Sequence, residues 1–143
     1  MAVTGDFARL ARLQTALGAI ANGSARRAIL RTAAPVVSEL IDGGFRRQQS
    51  PRSKPWKAPK HPRTTGGGIL DDTGALRKQA SRVLVSDPWL LIYVSREGAA
   101  SHLYGARNAH IPRREFLPLG AMPRAWTQRL NTIASQVLHA LIT

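Results

Sequence analysis

Apolar residues recur at helical spacing in the first third of the chain. Between residues 6 and 21 they follow steps of three and four, which places them on one stripe of an amphipathic helix. The stripe consists of Phe7, Leu10, Leu13, Leu17 and Ile20. Asn22-Gly23 then interrupts the pattern, and Ser24 is a suitable N-cap for a second helix.

The second helix is predicted from about Ala25 to Phe45. Its inward-facing residues are expected to be Ile29, Ala33, Val36, Val37, Leu40, Ile41 and Phe45. Pro35 lies inside this pattern and has no N–H to donate, which predicts a kink or two shorter helices joined there. Gly43-Gly44 is expected to loosen the end of the helix.

Residues 46–68, "RRQQSPRSKPWKAPKHPRTTGGG", form a different kind of segment, called the basic arm below. It holds four prolines, seven basic residues and no acidic residue, and neither helical nor strand periodicity continues through it. These features predict an extended arm or a long loop. Trp56 in its middle indicates that the arm lies on a surface, because an exposed indole is unfavourable.

The rest of the chain predicts a small sheet and a last helix. A turn or short helix is expected at 71–74, followed by an antiparallel hairpin in which Asp87-Pro88 joins a run around 82–86 to Trp89–Ser95. A second long loop covers 97–112, and "REFLPL" at 114–119 suggests a short third strand. The final helix should run from Pro123 to Ile142. Its apolar positions are Trp126, Leu130, Ile133, Val137 and Leu141.

The predicted architecture is therefore a single α+β domain spanning residues 1–143. N-terminal helices and a C-terminal helix pack on a small antiparallel sheet, and a long basic loop interrupts them. With no cysteine in the chain, disulfides and thiolate metal sites are excluded. No window reaches the ~18–20 consecutive apolar residues needed to cross a bilayer, and the N-terminus does not have the pattern of a secretory signal.

The charge balance predicts an anionic neighbour. The chain carries 21 Lys and Arg against 8 Asp and Glu, a formal net charge of +13. Such a surplus favours nucleic acid, an acidic protein surface or a membrane face as the partner.

The sequence offers little for catalysis. Asp71-Asp72-Thr73 is the only local acidic pair, and a turn or helix N-cap explains it. His102 and His110 could approach each other as ligands, but surface-loop positions explain them better. No nucleophile motif or phosphate-binding loop is present. We therefore expect no enzyme activity, no metal and no cofactor.

The basic arm admits two interpretations that the sequence does not separate. In the first, the arm contacts a polyanion without sequence preference, with Trp56 as an anchor; in the second, it is a solvated arm whose charge balances an acidic partner subunit. The cations concerned are Arg46, Arg47, Arg52, Lys54, Lys57, Lys60 and Arg63.

Three landmark segments stand in a characteristic order. "FRRQQSPRSKPWKAP" contains Phe45, Pro51 and Trp56; "ILDDTGALRKQ" and "HLYGARNAHIPRREFLPLG" follow it. Within the second and third, the landmark residues are Ile69, Leu70, Thr73, Gly74, Leu76, His102, Tyr104, Gly105, Ile111, Pro112, Arg114, Phe116 and Leu117. This order over residues 45–120 resembles the phage virion morphogenesis family, the Mu-type tail completion proteins.

The chain departs from the pattern of that family in two places. Ser53 stands where the segment before the tryptophan usually has glycine, and Arg113 stands where the later motif usually has alanine. The first departure affects the conformation of the turn before Trp56, where glycine is usual. The second enlarges a charged surface.

The resemblance implies a non-enzymatic virion component at the head-proximal end of a phage tail, assembled in the host cytoplasm. It implies a ring, commonly hexameric, that completes the tail and connects it to the head and neck while genomic DNA passes through its channel without sequence-specific contacts. Its partners would be further copies of itself, neck or head-completion proteins, and a tail terminator or tail tube protein. No membrane contact is implied. The alternative is a small sequence-nonspecific nucleic-acid-binding protein.

Under the resemblance, "IPRREFLPLG" at 111–120 becomes a candidate interface on a strand edge. Apolar anchors ringed by charge are typical of specific interfaces. The predicted contacts to the next subunit or a neck protein are Arg113, Arg114, Glu115, Phe116, Leu117 and Trp56. The competing interpretation makes Phe116 and Leu117 ordinary core residues and the two arginines ordinary surface. The basic arm is expected to contact protein rather than DNA, since a strongly basic channel would hinder DNA passage.

Overall fold

The computed structural model describes residues 7–60, 68–71 and 73–143, and in them five helices and one hairpin. The helices are α1 (Phe7–Ala21), α2 (Ser24–Arg47), α3 (Ala75–Ala80), α4 (Ala99–Tyr104) and α5 (Arg124–Ile142); the strands are β1 (Val83–Ser86) and β2 (Trp89–Ile92). Helices packed with a two-stranded antiparallel sheet confirm the predicted α+β class.

Helix α2 is the element around which the others pack, because α1, α3, α5 and both strands contact it. Val37, Ile41 and Phe45 are buried along its inner side. The helix runs unbroken through Pro35, so the prediction of two shorter helices is wrong. Packing on several neighbours outweighs a local cost of roughly 3 kcal/mol for an interior proline.

The two ends of α2 also differ from expectation. Gly23, with φ 77°, is the N-cap and Ser24 is the first helical residue. The Ser24 N–H donates to Oδ1 of Asn22 at 2.9 Å, so asparagine supplies the polar group that the sequence assigned to serine. At the other end the helix continues through Gly43-Gly44 and stops at Gln48, which has φ 56°.

The predicted hairpin is confirmed. Val83 pairs with Ile92 and Ser86 with Trp89 in an antiparallel register, although β2 ends before the predicted Ser95. Val83 and Ile92 pack against the core. On the opposite face Leu91 and Trp89 remain exposed.

Two predictions for the loops are wrong. The segment 97–112 contains helix α4, and residues 114–119 form bends rather than a strand. The Arg114 N–H donates to the His102 carbonyl oxygen, and the Leu119 N–H donates to the Glu115 carboxylate, so neither joins a sheet ladder. At 71–74 the described residues form a bend, and α3 begins after Gly74.

The core is built as much from loops as from helices. Phe45 of α2 meets Trp56 edge-on, with ring centroids 5.3 Å apart, and Phe116 at 5.8 Å. Leu76 of α3, Leu103 of α4 and Trp126 of α5 complete the cluster.

Candidate interaction surfaces

The segment 111–120 lies on the core rather than on the surface. Phe116 is 3% exposed and Trp56 is 7% exposed, and the Trp56 indole N–H donates to the Glu115 carbonyl oxygen at 2.9 Å. Both side chains are buried within their own chain, so their predicted role as interface anchors is wrong. The competing interpretation, that Phe116 is a core residue, is confirmed. Leu117 is half-buried and packs against the same cluster.

Arg114 is also buried, at 6% exposure, which corrects both of its predicted surface roles. Its Nε donates to the Lys57 carbonyl oxygen at 2.8 Å, and its Nη1 lies 3.5 Å from Nδ1 of His102. Burial lowers the pKa of Arg114, but a guanidinium remains charged at neutral pH. The buried guanidinium therefore ties the basic arm to the segment 111–120 and to α4.

The environment of His102 disfavours its charged form. Burial lowers the pKa of His102 first, and the neighbouring charge of Arg114 lowers it further. A neutral imidazole can accept a hydrogen bond from Arg114 at Nδ1 and then carries its own hydrogen on Nε2. The pair thus combines a fixed cation with an uncharged ring.

Glu115 is held by two arginines of its own chain. Its carboxylate oxygens lie 2.7 Å from Nη1 of Arg52 and 3.0 Å from Nη2 of Arg113. Arg52 also donates to the carbonyl oxygens of Leu119 and Ala121. Arg113 and Glu115 thus form an ion pair within the chain, in which the Arg113 side chain is largely exposed, and their pairing with a neighbouring subunit stays a prediction.

Arg46 and Arg47, where the sequence predicts the basic arm to begin, end helix α2, and residues 48–60 are folded against the body. Gln49 and Pro55 form an isolated bridge, and the Trp56 N–H donates to the Gln48 carbonyl oxygen at 2.9 Å. Ser53 has φ 61°, in the left-handed region that favours glycine. Sequence reasoning identified Trp56 as the anchor but assigned it to the surface.

The seven predicted contact cations have different surroundings. Arg46 pairs with Asp42 at 3.1 Å, and Arg52 pairs with Glu115. Four others are exposed and have no carboxylate within ion-pair distance among the described residues; they are Arg47, Lys54, Lys57 and Lys60. Arg63 lies outside the described residues.

Most described carboxylates are already engaged. Glu39, Asp42, Asp71, Asp87 and Glu115 each form an ion pair with arginine, which leaves Glu97 as the exception in the described part of the chain. Arg77, for example, lies 2.6 Å from Asp42 and 3.2 Å from Asp71. The pKa of Asp42 is lowered mainly by its hydrogen bond to Arg77. The remaining positive surplus therefore has to be balanced from outside the chain.

A large exposed apolar surface lies on α1. The stripe that the sequence identified is 47% to 70% exposed at every one of its five positions, and Ala16 is the buried residue of this helix. The outer face of the hairpin adds Trp89, which is 67% exposed, and Tyr93. Contiguous apolar surface of this kind marks an interaction site. Helical spacing predicted the stripe but did not show that it faces outward.

Within residues 7–60, 68–71 and 73–143, no group of three or more metal-ligating side chains could hold an ion. None of the described helices has the length and apolar content to cross a bilayer. His102 and His110 line one cavity, and no carboxylate is among the described residues that line it with them.

Comparisons of the chain with protein-family models, curated proteins and solved structures found no match.

Proposed function

We propose that this protein is a structural virion protein at the head-proximal end of a phage tail. It assembles into a ring, completes the tail and connects it to the head and neck, with DNA passing through the channel. Its contacts are with copies of itself and with neck and tail proteins, and it performs no catalysis.

The observation that carries the assembly role is the exposed stripe of α1. Five large apolar side chains on one helix face are left in water by a chain that buries Phe45, Trp56 and Phe116 efficiently. Covering such a face stabilises an assembly by about 25 cal/mol per Å² of apolar surface removed from water. The subunit contact is therefore assigned to α1, in place of the segment 111–120.

The landmark segments support the family resemblance. Phe45, Trp56, Leu76 and Phe116 come from all three segments and belong to one core cluster. Ser53 occupies a left-handed conformation at the position where the family usually has glycine. Several of the landmark residues are thus core positions of this chain.

A second candidate function is sequence-nonspecific nucleic-acid binding. It is favoured by the exposed cations of the basic arm, including Arg47 and Lys54, that lack a carboxylate partner in the described chain. Phosphate contacts of this kind release counterions, so the affinity would fall steeply with added salt. Neither stacking aromatics nor a groove-binding helix motif accompanies these cations, which places this candidate second.

Light scattering of the purified protein at low and high salt, with negative-stain images, tests the proposal. A salt-resistant particle of about six chains that appears as a ring is the expected result, since burial of an apolar face does not weaken with salt. A chain that stays monomeric and shifts DNA with a strong salt dependence would instead establish the nucleic-acid alternative.

A further inference from the structure

A cavity of about 600 Å³ lies between the basic arm and the loop that follows α4. Residues 57–60 of the basic arm form one wall and residues 106–112 form the other. The buried Arg114 and the half-buried His102 also line it. Lys57 and Lys60 are among the predicted contact cations of the basic arm, but no role considered so far uses the cavity itself.

The ionisable groups around the cavity are all basic. They are Lys57, Lys60, Arg107, Arg114, His102 and His110, and no carboxylate is among the described lining residues. Lys57, Lys60 and Arg107 are exposed and can reach a ligand, whereas Arg114 is fixed by its hydrogen bond to the Lys57 carbonyl oxygen. A buried guanidinium without a carboxylate partner in the described chain is costly, and an incoming anion would offset that cost. Arginine also suits a carboxylate because it can donate two parallel hydrogen bonds.

The other described lining residues are apolar, and apart from the imidazoles of His102 and His110 no aromatic ring is among them. They are Ala58, Pro59, Ala106, Ile111 and Pro112. Nucleobases bind proteins chiefly by stacking on aromatic side chains, so this lining suits aliphatic groups better than bases. The ligand that fits both features is an acidic group with aliphatic side chains next to it.

We propose that this cavity binds a segment of a different protein that carries carboxylates flanked by aliphatic residues. A second copy of the chain is a poor source, because Glu97 alone among the described carboxylates is not already in an ion pair. The inference deepens the proposed function, because it names the cavity that holds a neighbouring neck or tail protein. That the partner is a protein rests on the proposed function.

The test uses the full-length protein and a fluorescent eight-residue peptide in which aspartate alternates with leucine. Three competitors accompany it: the same peptide with asparagine in place of aspartate, an all-glutamate peptide, and a single-stranded oligonucleotide. We expect saturable binding of the first peptide, at least tenfold weaker binding of its amide form, and weaker binding of the all-glutamate peptide. Amide NMR signals of Ala106 and Ile111 should shift on titration.

Two double variants locate the binding. Lys60→Gln/Arg107→Gln removes two exposed cations of the cavity, and we expect the peptide affinity to fall at least tenfold. Lys78→Gln/Arg124→Gln removes the same charge at exposed positions that do not line the cavity, and it should change the affinity less than twofold. Equal losses in the two variants would show diffuse attraction and overturn the proposal. The proposal would also be overturned if the amide peptide bound as tightly as the aspartate peptide. Tighter binding of the oligonucleotide than of the aspartate peptide, with shifts of the same NMR signals, would overturn it as well.

Light scattering on the same samples separates this inference from the proposed function. A ring that does not bind the peptide contradicts the cavity assignment alone. Peptide binding by a chain that never assembles supports the cavity assignment and contradicts the ring.

Discussion

Two regions of this chain carry large apolar side chains but place them in opposite environments. The α1 stripe follows a regular helical spacing in the sequence, and it is exposed. Trp56 and Phe116 come from irregular, arginine-rich segments, and they are buried. The comparison shows that helical amphipathicity identifies an apolar face without identifying what covers it. Irregular segments can supply a core when their polar groups find partners there.

The difference has a physical cause in the hydrogen bonds of the buried region. The Trp56 indole N–H and the Arg114 guanidinium both donate to carbonyl oxygens of the opposing segment. A loop can be buried only when its polar groups are satisfied in this way. Residues of α1 already satisfy their backbone groups within the helix, so the apolar stripe is free to serve an outside contact.

The largest expected effect on stability comes from truncating a buried aromatic side chain. Trp56→Ala removes the ring that meets Phe45 and the hydrogen bond to Glu115, and it should lower the free energy of unfolding by about 3–5 kcal/mol. Trp56→Phe is the matched control, since it keeps an aromatic ring and loses the indole N–H. Urea denaturation measures both. A loss below about 1 kcal/mol for Trp56→Ala would contradict the burial of the arm.

Arg114 and Arg113 are adjacent in sequence but differ in burial. Arg114→Met should cost about 1–3 kcal/mol, because it removes the part-buried hydrogen bond from the guanidinium to the Lys57 carbonyl oxygen. Arg113→Met, at a largely exposed position, should change the stability by no more than about 0.5 kcal/mol. Paired denaturation curves of the two variants provide the measurement. Similar costs at both positions would mean that Arg114 is a surface residue after all.

Truncation of the exposed stripe should hardly affect the isolated chain. Leu17 is 56% exposed, so Leu17→Ala should change the unfolding free energy by about 0.5 kcal/mol or less when measured at a dilution where the protein is monomeric. Phe116→Ala, treated identically, should lose several times more. Comparable losses would place Leu17 in the core.

The smallest expected effect is on pH dependence. Because burial and Arg114 keep the pKa of His102 below 6.5, the unfolded chain takes up a proton at higher pH than the folded chain. The contribution of His102 to stability should therefore be complete above pH 6.5 and decline as the pH falls below it. His102→Gln should flatten this part of the stability profile between pH 7.5 and 5. An unchanged slope would show that His102 is not the group responsible.

The sequence predicts the regular elements well, because their signals are local. The spacing of apolar residues places α1, α2 and α5 within two residues of their observed ends, and the turn at Asp87-Pro88 identifies the hairpin. Helix α4 is only six residues long, which is too short to show a period. The false strand at 114–119 lies in a segment whose N–H groups donate to the His102 carbonyl oxygen of α4 and to the Glu115 carboxylate instead of to a neighbouring strand.

The surface assignment of Arg114 failed for a different reason. A guanidinium is buried at low cost only when acceptor groups satisfy its hydrogen bonds. For Arg114 one such acceptor is the Lys57 carbonyl oxygen, which is 57 positions away in the chain. Nothing in a local pattern reports such a contact. The exposure of the α1 stripe is equally invisible, because it depends on which side of the helix α2 and α5 approach. Those long-range facts decide which residues are available to a partner.

A comparison of how three versions of the protein assemble, each on its own, tests the central claim most directly. They are the unmodified chain, Leu10→Glu/Leu17→Glu in the α1 stripe, and Ala11→Glu/Gly18→Glu with the same spacing and charge at exposed positions outside it. A Cβ added at the exposed Gly18 meets no atom of another element within 4 Å, so this position has room for a larger residue. Analytical ultracentrifugation should show rings for the unmodified chain and the control, and folded monomers for the stripe variant. Rings that persist in the stripe variant, or an unmodified chain that never assembles, would contradict the account.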